Sequence, residues 1–149
     1  MTSASAVFRQ ASVGDIPDMS RIRLAVRENR LRDRGRVTPR MYEDFLQRDG
    51  RGWVAQLDGV TVGFSYANRI DGSIWALFVD PAHEGKGLAK VLLGLATDWL
   101  FELGFAQLTL STASGTRAAA FYARQGWTRR AASAGDITFV LDRGLDRGA

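Results

Sequence analysis

The chain has no cysteine, one histidine and only two lysines in 149 residues. Without cysteine there is no disulfide framework, no thiolate metal site and no cysteine nucleophile. His83 alone does not make a multi-histidine metal site within one chain, so no metal is expected. A histidine-dependent triad would have to use that one residue. No apolar run approaches the ~20 residues that a membrane-spanning helix needs, so no membrane partner is expected. Met1 to Ala6 is small and polar and lacks the apolar stretch of a signal peptide. The cytoplasm is the expected compartment.

What is present fits one globular domain. The hydrophobic share is 46%, ordinary for a folded chain of this length. The ordered part is expected to span residues 7–142, with flexible termini at 1–6 and 143–149. Of the 20 basic residues, 18 are arginine, and the net charge is +4. Between Arg21 and Arg40 eight arginines face two acids, Glu28 and Asp33. Such a cluster serves as a solvated helix face or attracts an anionic partner. It lacks the aromatic–basic alternation of nucleic-acid platforms, which argues against a nucleic-acid partner.

The apolar spacing divides the chain into elements. Val7 to Ala11 reads as a short strand. Asp15, with Asp18 three places on, reads as a helix cap, and Ile16, Met19, Ile22 and Val26 continue at helical spacing to about Arg30. Thr38-Pro39 opens a second helix, which Asp49-Gly50 ends. The period then changes to two. Trp53 to Leu57 and Val60 to Ala67 flank the hairpin signal Asp58-Gly59, and Asp71-Gly72 leads to a third strand, Ile74 to Val79. That strand is apolar throughout and is expected to be buried on both faces. Leu88 to Leu103 is the strongest helix, with Leu88, Leu92, Leu95, Trp99 and Leu103 as its stripe and Gly104 as its stop. Gln107 to Ser111 is a strand, Thr116 to Arg124 a helix, and Trp127 to Arg130 and Ile137 to Leu141 two closing strands. The order is β-α-α-β-β-β-α-β-α-β-β. It predicts a single α/β domain with a mixed central sheet and helices on both faces. Its strand–helix–strand crossover should join parallel strands.

Chemistry concentrates where the third meander strand meets the strongest helix, at Val79-Asp80-Pro81-Ala82-His83-Glu84-Gly85-Lys86-Gly87-Leu88-Ala89-Lys90. The first N–H groups of a helix lack intrahelical partners, and the helix dipole adds positive potential there. Glycines admit a ligand close to the backbone. Together these features suit a phosphate or diphosphate. The residues are not a Walker loop, which needs Ser or Thr after Gly-Lys, nor the Gly-x-Gly-x-x-Gly dinucleotide fingerprint. The chain's only two lysines, Lys86 and Lys90, fall in this segment. A glycine turn that merely joins strand to helix is the simpler alternative.

Glu84-Gly85-Lys86-Gly87-Leu88-Ala89 resembles the acyl-CoA motif Gln/Arg-x-x-Gly-x-Gly/Ala of the GCN5-related N-acetyltransferases (GNAT). The segment Ala118-Ala119-Ala120-Phe121-Tyr122-Ala123-Arg124-Gln125-Gly126-Trp127 resembles the late helix of the same family, and the element order matches from about Val7 to Leu141. The resemblance implies a GNAT fold over residues 7–142. It also implies an acetyl-CoA-dependent N-acetyltransferase, which moves an acetyl group to a primary amine of a small molecule or a protein. A non-catalytic acyl-CoA-binding or sensing module of the same fold is the alternative, and a homodimer is compatible with the family. By the same resemblance, pantetheine would bond to backbone groups of Phe78 and Val79 where their strand splays from the next. The diphosphate would lie on the amides of Gly85, Lys86, Gly87, Leu88, Ala89 and Lys90. Tyr122 would point its hydroxyl at the thioester sulfur, although packing on the apolar helix face also explains a tyrosine there.

Two positions depart from the family pattern. Glu84 replaces Gln or Arg, and its carboxylate is expected to point away from a diphosphate. Gly115 stands where the family often has asparagine, with Ser114 or Thr116 as substitutes. The attacking amine must lose a proton. The strand Ile74 to Val79 carries no glutamate for this, which leaves Glu28, Asp80 and His83. Glu28 is favoured as the base because it closes the first helix, beside the acceptor site that the resemblance implies. A solvent-exposed or arginine-paired Glu28 is the competing reading. Trp75 serves either the core or the floor of an acceptor pocket.

Overall fold

A computed structural model describes residues 6–25, 43–113, 116–133 and 135–143. Its strands are β1 (Val7–Gln10), β2 (Gly50–Leu57), β3 (Val60–Asn68), β4 (Ser73–Val79), β5 (Gln107–Ala113), β6 (Thr128–Ser133) and β7 (Asp136–Asp142). Its α-helices are α1 (Ile16–Ala25), α2 (Leu88–Glu102) and α3 (Arg117–Arg124). The strands form one mixed seven-stranded sheet in the order β1-β2-β3-β4-β5-β7-β6. Thr38-Pro39, the expected start of a second helix, lies outside the described residues; Phe45–Asp49 form a π-helical turn that runs into β2. Among the described residues no helix is long and apolar enough to cross a membrane.

Local signals account for most of these boundaries. Asp58 and Gly59 have φ of 52° and 79°, the left-handed values that a two-residue hairpin turn requires. β2 starts at Gly50, before the expected Trp53, because Gly50 still pairs with Asn68 of β3. A Cβ on Gly50 would run into the Ala67 carbonyl oxygen, so only glycine fits that close approach.

The sheet has a core on each face. α1 packs Ile16, Met19 and Ile22 against Val54, Phe64, Tyr66, Ala76 and Phe78. On the other face α2 and α3 cover Ala55, Val62, Leu108, Leu110 and Phe139. The buried stripe of α2 differs from the expected one. Leu88, Leu92, Ala96 and Leu100 line up at i, i+4, flanked by Leu93 and Phe101, while Leu103 is exposed. Leu95 and Trp99 pack only at the margin of the core. There Trp99 meets Trp53 edge-on at 5.8 Å and carries the Arg51 guanidinium at 4.9 Å. The residues one place away from the i, i+4 line are equally apolar, and only the sheet decides which of them face inward.

The start of α1 is also corrected. Ser12, not Asp15, is the cap residue, of a 3-10 turn (Val13–Asp15) that leads into the helix. Asp15 is buried and accepts from Arg9 Nη1 and Nη2 at 2.8 and 2.7 Å and from the Ser12 N–H at 2.8 Å. The Arg9 hydrogen bonds, helped by Ser12, hold its carboxyl below the usual carboxylate range, against the upward push of burial. A depressed folded pKa stabilises above the unfolded value of about 3.9 and loses that contribution as pH falls through the folded pKa. Asp15→Asn is therefore expected to cost about 1–2 kcal/mol at pH 7. Denaturant titrations should show this gap narrowing as the pH is taken below about 4. A gap independent of pH would assign the loss to packing.

Candidate functional site

The site begins at a failure of strand pairing. β4 and β5 are the parallel pair, and Ser73↔Thr109 is their single register position. There the Thr109 N–H donates to the Gly72 carbonyl at 3.2 Å. Each strand is held by its other neighbour. β4 pairs with β3 up to Val79↔Gly63, and β5 pairs with β7 from Gln107↔Asp142 to Ala113↔Asp136. β4 also carries a bulge: Tyr66 pairs with Ala76 and Ala67 with Ile74, so Trp75 is left over. A bulge bends its strand and tightens the local twist. β4 therefore turns away from β5, and a cleft of about 450 Å³ opens beside it.

Leu77, Phe78 and Val79 line one wall. This corrects the expectation that β4 is buried on both faces. Burial alternates instead, with Ile74, Ala76 and Phe78 buried and Trp75, Leu77 and Val79 half-exposed. Leu77 and Val79 are half-exposed because they border the cleft. Trp75 packs edge-on against Tyr66 at 5.2 Å, beside the core under α1. The Arg23 guanidinium lies 5.5 Å from the Trp75 ring and 4.9 Å from the Phe78 ring.

The loop after β4 forms the second wall. Asp80 caps a 3-10 turn (Pro81–His83), its Oδ1 accepting from the Ala82 N–H at 3.0 Å, and its Oδ2 lies 3.5 Å from Arg21 Nη1. These contacts give that carboxylate a structural task. Gly85 and Gly87 have φ of 81° and 80°, a left-handed backbone that glycine adopts without strain. Gly87 is the cap residue of α2. The N–H groups of Leu88, Ala89 and Lys90 open the helix and have no intrahelical acceptor. Gly85, Gly87, Leu88, Ala89 and Lys90 all line the cleft. Lys86 is not among the lining residues. Its Nζ lies 3.0 Å from His83 Nδ1, and an ammonium has only donors, so Nδ1 accepts. Among the described residues no group of three or more His, Cys, Asp or Glu side chains is placed to hold a metal ion.

α3 supplies the third wall through Ala118, Phe121 and Tyr122. Thr116 caps it, its Oγ1 accepting from the Ala119 N–H at 3.2 Å, and Gly126, at φ 95°, turns the chain out of it. This short helix aims Tyr122 inward. The ring packs against Trp127 at 6.1 Å and Phe139 at 6.0 Å, and the side chain is buried. Burial pushes its phenol far above the ordinary range. The shift favours the protonated phenol.

Of the residues expected from the sequence, the cleft gathers Phe78, Val79, Gly85, Gly87, Leu88, Ala89, Lys90 and Tyr122. Glu28, Ser114 and Gly115 lie outside the described residues. His83 and Glu84 line the cleft as well. Sequence reasoning passed over Arg117, Arg124 and Gln125, which also line it. Arg117 did leave a signal. It is a cation in the first turn of a helix, where the dipole disfavours positive charge.

Comparison with known proteins agrees with this geometry. A search of curated protein sequences finds no match. Several solved structures share the fold. The GCN5-related N-acetyltransferase from Rhodopseudomonas palustris, "Aminotransferase, Class-II", superposes with a TM-score of 0.78 at 18% identity, covering 95% of this chain and 98% of that one. The PaiA N-acetyltransferase from Thermoplasma acidophilum, solved with coenzyme A, gives 0.76 at 17% identity, covering 93% and 99%. The ribosomal-protein-S18-alanine N-acetyltransferase from Escherichia coli gives 0.74 at 17%, covering 95% and 98%. The profile of the acetyltransferase (GNAT) family matches residues 18–127, from α1 to the residue before β6. That match spans most of the chain, including the splayed strands and both glycine-terminated helices, and the chain belongs to the acetyltransferase (GNAT) family.

Proposed function

We propose that this chain is an acetyl-CoA-dependent N-acetyltransferase acting on a primary amine. The observation that carries the reading is one continuous cleft that runs from the glycine loop, along the free edge of β4, to the buried Tyr122. The two ends differ in chemistry as the two ends of acyl-CoA do. At one end are helix-opening N–H groups and Lys90, which suit a diphosphate. At the other, apolar walls surround a single phenol, which suits an acyl thioester. The edge of β4 beyond Ser73 supplies backbone groups for an extended amide-bearing arm such as pantetheine.

The proposed reaction is direct attack of the amine on the thioester carbonyl. The C–N bond forms, the C–S bond breaks, and coenzyme A leaves as a thiolate. Tyr122 donates a hydrogen bond to the departing sulfur, in a low-dielectric setting that strengthens it. Its raised pKa keeps the proton available throughout. The amine's own proton passes to a base, for which Glu28 remains the favoured residue, or to water.

Calorimetric titration of acetyl-CoA, followed by coenzyme A release against a panel of amines, tests the reading. Saturable binding with amine-dependent release is expected. Binding with no release for any amine would replace the enzyme by a non-catalytic acyl-CoA-binding module. No binding at millimolar ligand by folded protein would refute the cofactor assignment.

A further inference from the structure

One ion pair bridges the mouth of the cleft. Arg117, the first residue of α3, directs Nη1 to Glu84 Oε1 at 2.7 Å and Nη2 to Glu84 Oε2 at 3.3 Å. Glu84 immediately precedes Gly85, so the pair ties the start of α3 to the glycine loop before α2. Both residues line the cleft, and among its lining residues Glu84 is the sole carboxylate, set against Lys90, Arg117 and Arg124. The carboxylate of Glu84, expected to point away from a diphosphate, is turned to the Arg117 guanidinium.

The setting makes the pair exchangeable. The Arg117 side chain is 74% exposed and that of Glu84 is 35% exposed. Exposed pairs are weak because water and salt compete with them. The α3 dipole disfavours a cation at Arg117, so an anion beside it gains from compensating that charge. A diphosphate carries more negative charge than one carboxylate and accepts the guanidinium fork equally well.

We propose that Arg117 exchanges partners when acyl-CoA binds, leaving Glu84 for the diphosphate, and that Glu84 lowers cofactor affinity by competing for that guanidinium. The inference rests on the proposed acyl-CoA function and names a ligand and a competitor within it. It also gives a role to the residue that departs from the family pattern. In place of a neutral or cationic side chain, Glu84 offers an internal counter-ion that the diphosphate must displace.

The test is a double-mutant cycle on the full chain, using Glu84→Gln, Arg117→Gln and the two combined. Each protein is titrated with coenzyme A, with dephospho-coenzyme A and with phosphate-free S-acetylpantetheine, after its melting curve has confirmed folding. Arg117→Gln should weaken coenzyme A binding about tenfold. Glu84→Gln should tighten it by up to about fivefold, and only while Arg117 is present. Both effects should persist with dephospho-coenzyme A and vanish with S-acetylpantetheine. Equal coenzyme A affinity in all four proteins would overturn the proposal. So would a gain from Glu84→Gln that survives Arg117→Gln, which would mean direct repulsion. Effects that vanish with dephospho-coenzyme A would move the contact to the 3′-phosphate and overturn the diphosphate assignment. These three outcomes require that the wild type binds coenzyme A. A wild type that does not bind it refutes the cofactor reading and the proposal together.

Discussion

Tyr122→Phe is expected to lower kcat about a hundredfold while the affinity for acetyl-CoA changes little. The substitution keeps the ring and its contacts with Trp127 and Phe139. It removes only a hydroxyl to which burial alone gives a raised pKa, with no hydrogen bond contributing. Folding stability should therefore be nearly unchanged, and a melting curve checks this. In the proposed reaction the hydroxyl matters most when charge builds on sulfur, so the loss should fall on kcat and not on binding. The pH profile adds a second readout. A phenol whose pKa is raised by burial does not ionise as pH rises through its ordinary value near 10. The alkaline limb of the wild-type profile is thus not set by Tyr122 and should survive in the variant, scaled down at every pH. Unchanged kcat would reduce Tyr122 to a packing residue.

Gly85 and Gly87 carry the second large effect. Replacing both with aspartate is expected to abolish measurable acetyl-CoA binding, a loss greater than about a hundredfold. Two mechanisms combine there, and alanine separates them. At φ of 81° and 80° any Cβ strains the backbone, by roughly 1–2 kcal/mol per residue. A Cβ at either position meets no protein atom within 4 Å, so no internal clash contributes. The double alanine variant should thus bind roughly tenfold or more weakly through a distorted loop alone. Aspartate adds negative charge where the diphosphate is proposed to lie. Aspartate and alanine variants with equal affinity would exclude an anion at this loop, and wild-type affinity in both would remove the loop from the site.

Much of the fold was legible because its signals are local. Asp58-Gly59 encodes left-handed backbone in two adjacent residues, and it turns where expected. Thr116 ahead of an apolar helix, and Gly126 after it, bound α3 as read. Gly85-Lys86-Gly87 at the junction of an apolar strand and a long helix marked the loop before the structure placed it beside a cleft. The second motif, around Tyr122, lies far away in sequence yet lines that same cleft. Their order along the chain carried the family assignment, and residues 18–127 confirm it.

What was misread or missed depends on neighbours distant in sequence. Ile74 to Val79 is apolar at every position, which is equally consistent with burial on two faces or with one face on a cleft. The bulge at Trp75 and the loss of pairing after Ser73 decide for the cleft, and both arise from register with β3 and β7. The stripe of α2 was ambiguous because apolar residues cover more of its surface than the sheet can bury. Asp15 was read as a cap from its own segment, whereas its main partner, Arg9, comes from the neighbouring β1. Arg117 and Glu84 are separated by a helix and a strand, and no local pattern announces that they meet.

The sequence by itself therefore determined the order of elements, the Asp58-Gly59 turn, the Thr116 cap, the glycine loop and the family, because each is written in short-range backbone preference or in a contiguous motif. The family resemblance had already implied that the strand of Phe78 and Val79 splays from the next; only the tertiary structure decided that pairing is lost directly after Ser73, how deeply Tyr122 is buried, and that Glu84 meets Arg117 across the cleft. Those outcomes follow from competition among long-range pairings, in which each strand is held by its outer neighbour, and no single segment encodes the result.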